Sequence, residues 1–211
     1  MRSALLSVFK TAFIYLLLCI GTFLMAQTIS KYSTFNDHAG FLSVKQQYIH
    51  ITVWKIAFYI HVFSSIFTLL AGFTQFSTYL QTNYRRLHRF IGKIYVLDIL
   101  VVNFPAALIM AYYANGFLPS RIAFFTLDCL WFWFTLKAFT EARKGNISSH
   151  KKFMVRSYAL TCSAIALRTW KLILSHTFTI DPVSLYMMDA WLGFVPNLLL
   201  AEYIIRKKIS W

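Results

Sequence analysis

The 211-residue chain is 58% hydrophobic and 13% charged, with a mean hydropathy of +0.57. At ~20 residues per bilayer crossing, its apolar stretches use nearly the whole length and leave nothing for a soluble domain. The formal charge of +14 sits at the ends of those stretches, beside anionic headgroups, which sets aside a nucleic-acid partner.

The first apolar stretch runs from Leu5 to Ala26, interrupted by Lys10. Arg2 and Lys10 make a basic start and Leu24-Met25-Ala26 a weak cleavage site, but the stretch exceeds a signal-peptide core, so a retained helix is expected. A polar loop, Thr28 to His50, follows and is expected to carry a short surface helix. Span two is read as Ile51–Leu80 and span three as Leu87–Ala114. An Asn115-Gly116 turn with Pro119 leads to span four, Arg121–Phe139. Span five is read as Phe153–Ser175, Asp181-Pro182 marks the next turn, and span six covers Leu185–Ile205 before Arg206-Lys207-Lys208.

Positive charge falls in alternate gaps. Arg85, Arg86, Arg89 and Lys93 follow span two; Lys137, Arg143, Lys144, Lys151 and Lys152 surround the gap after span four. The other gaps hold only Lys31, Lys45, Arg121 and Lys171. Basic loops stay on the cytoplasmic side of a membrane, so both termini are expected there. Trp54, Trp131, Trp133, Trp170, Trp191 and Trp211 suit interfacial belts or packing, and Cys19, Cys129 and Cys162 lie in apolar runs without metal-site spacing.

Ionisable groups at membrane depth are costly, ~2.5–3.5 kcal/mol on insertion scales, and so have a partner or a task. Counting ~1.5 Å per residue puts His61, Asp128 and Arg168 together in the outer half. They read either as a structural Asp–Arg pair with a histidine or as a proton or substrate relay. At the inner level, His88, Arg89, Gln75, His150 and Arg156 share one depth. These read either as wet interfacial residues or as a haem b site, with His88 and His150 on the iron and Arg89 and Arg156 on the propionates. Gly92, four residues after His88, would leave room for the ring.

Several words recur in order: His61-Val62-Phe63, Ala71-Gly72-Phe73-Thr74-Gln75-Phe76, Leu87-His88-Arg89-Phe90-Ile91-Gly92-Lys93, Ser149-His150-Lys151-Lys152-Phe153 and Leu167-Arg168. Over His61 to Arg168 the chain resembles a bacterial family of predicted membrane proteins, domain of unknown function 2306. That resemblance implies a multi-helix membrane fold and a bacterial inner membrane, and no activity. A looser architectural similarity is to ascorbate-reducible transmembrane b-type cytochromes, whose histidines alternate between two levels; span four has no histidine for the outer haem.

The expectation is an all-α integral membrane bundle of six transmembrane helices in a single domain. Three functions compete: a one-haem electron carrier fed by quinone or a cytoplasmic donor; a haem-free proton-linked transporter or small-molecule binder; and an assembly partner whose basic loops hold anionic lipid. Ser148-Ser149-His150 fits no triad spacing, and no HExxH or phosphate-binding loop is present.

Overall fold

The computed structural model describes residues 2–207, with Arg2 and Lys10 placed by their backbone alone; Lys208 and Trp211 lie outside the described residues. The chain is all-helical: α1 Arg2–Ser30, α2 Thr52–Gln75, α3 Thr78–Asn83, α4 Arg85–Leu97, α5 Phe104–Tyr112, α6 Phe117–Arg143, α7 Ile147–Thr161, α8 Ser163–Thr177, α9 Pro182–Leu192 and α10 Val195–Lys207. Among these residues, five helical stretches are long and apolar enough to cross a membrane: Ala12–Ser30, Thr52–Gln75, Arg85–Tyr112, Phe117–Arg143 and Pro182–Lys207.

Two boundaries differ from the sequence reading. Span two stops at Gln75, not Leu80, because Phe76 and Ser77 leave the helix and Ser77 caps a separate short helix, accepting from the Leu80 N–H at 3.4 Å. The stretch read as span five is not one helix. It divides at Cys162 into α7 and α8, and so is not among the five continuous spans. The break is mild: Cys162 N–H still bonds Tyr158 O at 3.0 Å and Ala166 N–H bonds Cys162 O at 3.0 Å. Thr161 Oγ1 donates back to Ser157 O at 3.2 Å, the kind of side-chain bond that bends a helix.

Helix α6 runs through the centre. It forms a hairpin with α7 whose turn has Gly145 at φ +77°, and Asn146 caps α7 by accepting from Ser149 N–H at 3.2 Å. Alanines at full burial, Ala123 and Ala138, let neighbouring backbones approach closely. A buried hydroxyl network then locks three helices together. Tyr95 OH of α4 meets Ser157 Oγ at 2.8 Å and Thr161 Oγ1 at 2.9 Å, while Trp131 Nε1 of α6 donates to Thr161 Oγ1 at 3.1 Å. Thr135 Oγ1 donates to Trp131 O at 2.7 Å. In hydrocarbon such groups have no water to turn to, so each bond made here removes an otherwise uncompensated cost.

The loop between α1 and α2 is a folded cap, with a 3₁₀ turn at Gly40–Val44 and an apolar cluster of Tyr32, Leu42, Trp54 and Phe58. Lys45 pins it to the turn after α5: its Nζ donates to Asn115 Oδ1 at 2.8 Å and to the Tyr113 carbonyl, beneath the Phe41 and Tyr48 rings. Lys55 pairs with Asp37 at 2.6 Å at its edge. At the start of α9, hydrogen bonds from the Ser184 hydroxyl, then from the Ser184 and Val183 N–H groups, hold the Asp181 carboxyl below the usual carboxylate range. These sparse-charge gaps gather at one end, whereas His88 lies within electrostatic reach of His150 at the other. The basic gaps therefore share an end, as alternate gaps in a spanning bundle must.

Candidate intramembrane polar site

Span three contains an irregularity that places its polar groups. Between α4 and α5, Asp98–Asn103 forms a π turn, and the Phe104 N–H reaches five residues back to Ile99 O. Pro105 follows. Lacking an N–H, it leaves a carbonyl of the preceding turn without its helical donor, and π turns of this kind recur at functional sites.

The widened turn sets Asp98 and Asn103 against α2. Asn103 is fully buried and its Nδ2 donates to Ser64 Oγ at 2.9 Å. Asp98 is also buried and its carboxylate faces Ser64 and Asn103. His61, one turn earlier on α2, lies beside Asn103 and feels the charge of Arg168 on α8. Arg168 in turn faces Asp189 of α9, and Asp189 faces Lys171. A string of polar side chains thus crosses from span three through α2 to α8 and α9. It opens at Arg168, which is exposed and donates to Ala164 O at 2.8 Å.

The string is only partly satisfied. Along it, His61 Nδ1, Asp98 Oδ2, Asn103 Oδ1 and Asp189 Oδ1 are buried without a hydrogen-bond partner. Each such group costs ~1–3 kcal/mol when left unpaired, so their concentration in one region marks a place where something polar is accommodated.

Asp128, which the sequence reading grouped with His61 and Arg168, is buried on α6 with 6% exposure. It has no hydrogen-bond or ion-pair partner among the described residues; the carboxylate facing Arg168 is Asp189. Asp98, Asn103 and Asp189 went unnoticed in the sequence. Their signal was available: Asp98 and Asp189 are acids inside apolar runs, and the same cost argument that singled out Asp128 applies to them.

At the inner end, His150 Nδ1 donates to Ala138 O at 2.8 Å, which leaves Nε2 free, while His88 Nδ1 is buried without a partner. Gln75 Nε2 donates to His88 O at 3.2 Å. Arg156 is engaged elsewhere, in a two-pronged pair with Glu202 in which Nη2 meets Oε2 at 3.0 Å. A Cβ on Gly92 would sit 3.0 Å from Gln75 Oε1, so that glycine makes room for Gln75. Arg89 is exposed at the same end. Among the described residues no three or more His, Cys, Asp or Glu side chains are placed to hold a metal ion.

Comparison with known proteins agrees with the membrane reading. Residues 58–205 match the model of the family described as predicted membrane protein, DUF2306, which extends the resemblance on through α10. No curated protein and no solved structure matches the chain, and the likeness to b-type cytochromes is not among what was found.

Proposed function

As the chain belongs to the DUF2306 family of predicted membrane proteins, we propose that it is a haem-free, proton-linked transporter or small-molecule-binding protein of the bacterial inner membrane, working through the outer-half polar string. One observation carries this reading: four buried polar atoms without hydrogen-bond partners, on His61, Asp98, Asn103 and Asp189, lie along one string of polar side chains that runs from span three through α2 to α8 and α9. Arg168, within electrostatic reach of His61, offers a fixed cation to an anionic or zwitterionic solute.

The test is proton movement into sealed proteoliposomes carrying a trapped pH dye, driven by an imposed gradient. Vesicles with the wild-type chain should acidify faster than empty ones, and His61→Ala and Arg168→Leu should remove most of the difference. Equal rates in wild-type and empty vesicles would end the proposal.

A second reading is favoured by the His150–Ala138 bond, because a backbone acceptor on Nδ1 is what orients a histidine whose other nitrogen binds metal. A b-type haem between His88 and His150 would supply electron transfer with quinone or another redox partner. The fit is incomplete: Arg156 already serves Glu202, leaving Arg89 alone for the propionates. Purified protein without a Soret band that sharpens on reduction would dismiss it.

A further inference from the structure

Resting on the polar-string reading above, we propose that its innermost members, Asp98, Asn103 and Ser64, form a binding site for one monovalent metal cation of sodium's size. The donors are hard oxygens, deeply buried, and two of their atoms make no hydrogen bond: Oδ1 of Asn103, a residue at 0% exposure, and Oδ2 of Asp98, at 9%. Nδ2 of Asn103 donates to Ser64 Oγ at 2.9 Å, which leaves its carbonyl oxygen, with His61 beside it, making no hydrogen bond of its own. Pro105 frees a backbone carbonyl in the same π turn, and carbonyls released where a spanning helix is irregular are common ligands of coupling ions.

Oxygen-only coordination selects alkali and alkaline-earth ions over transition metals. The charge balance selects between those two. One carboxylate cancels one positive charge, whereas a divalent ion would leave an uncompensated net charge in a low-dielectric interior. Arg168, the cation within electrostatic reach of His61, is not among the groups that act on Asp98, so it does not oppose a cation there. The site sits next to His61 on α2, where a bound cation and the solute site would sense each other's charge.

The purified full-length protein in detergent provides the test, with Na⁺ as the probe. Thermal unfolding in NaCl against choline chloride at equal ionic strength should show a saturable rise in midpoint, matched by binding of radiolabelled Na⁺. Asp98→Asn and Asn103→Leu should weaken Na⁺ affinity about tenfold or more, with cooperative melts kept in choline. Ser64→Ala, a gentler change, should weaken it several-fold and serves if the buried acid variant does not fold. A wild-type chain that neither binds Na⁺ nor shifts its midpoint overturns the site, as does unchanged affinity in Ser64→Ala and Asn103→Leu together. If vesicle acidification persists in Na⁺-free medium and His61→Ala abolishes it while Na⁺ does not bind, the sodium site fails and the polar-string reading stands. If both signals are missing, both fall.

Discussion

A lysine ammonium with 2% exposure is tolerated at position 45 because a carbonyl, an amide oxygen and two ring faces replace its water. Burial, and then the Arg121 charge, still lower its pKa from 10.5 to about 8. The unfolded chain therefore holds more protons than the folded one between about pH 8 and 10.5, and Lys45 contributes more to stability as pH rises through that window. Melts of wild type and Lys45→Met from pH 7 to 10.5 should diverge in favour of wild type toward alkaline pH; a constant difference would contradict this. Gly72 is a second single-residue constraint. A Cβ there would lie 1.9 Å from the Tyr158 ring, whose hydroxyl donates to Leu69 O at 2.9 Å. Gly72→Ala should lower stability by ~1–3 kcal/mol, read as a drop in midpoint that Tyr158→Ala in the same chain partly restores. At this scale the sequence tells depth but not direction. Counting residues puts Asp128 and Arg168 at one height, yet among the described residues no cation pairs with the buried Asp128, because which residues meet across the bundle depends on packing that no periodicity along the chain records.

At the scale of elements, the two departures from straight helices are what assemble the site. The apolar run from Leu87 to Ala114 reads as one continuous span, and the structure does cross in one piece from Arg85 to Tyr112. What the run conceals is the π turn, since Pro105 announces a kink but not how the preceding six residues absorb it. Similarly, span five reads as one helix because Cys162 is apolar; its bend comes from Thr161 bonding back to Ser157 while Tyr95 and Trp131 claim the same hydroxyl. Replacing Pro105 by Ala returns the missing N–H. The turn should then revert toward α geometry, rotating Asp98 relative to Asn103 by up to ~100°, the angle of one residue in a helix. Pro105→Ala should accordingly melt at a higher temperature than wild type while losing vesicle acidification. Retention of both the wild-type midpoint and the wild-type rate would mean that the irregular turn has no part in the site.

For the whole molecule, the structure sharpens the charge asymmetry from which orientation follows. The basic end carries Arg85, Arg86, Arg89, Arg143, Lys144 and Lys152 on exposed positions, with Arg206 and Lys207 at the close of α10. At the opposite end the cations are few and several are neutralised locally. Lys45 is sealed with a pKa near 8, Lys55 pairs with Asp37 at 2.6 Å, and Lys171 faces Asp189. Loop lysines and arginines near span ends decide which side stays in the cytoplasm, so the basic end should face inward and both termini with it. The check uses a background in which Cys19, Cys129 and Cys162 are changed to alanine, with single cysteines introduced at Arg85, at Lys152 and at Ser43 in the cap. In intact spheroplasts a membrane-impermeant thiol reagent should label only the Ser43 position, and in inverted vesicles only the other two. Labelling of Arg85 and Lys152 from opposite sides would break the alternate-gap topology itself, whereas labelling of both from outside would keep the bundle and reverse its direction. The second result would also move the polar string from the periplasmic to the cytoplasmic half, and solute and proton would then enter the site from the other compartment.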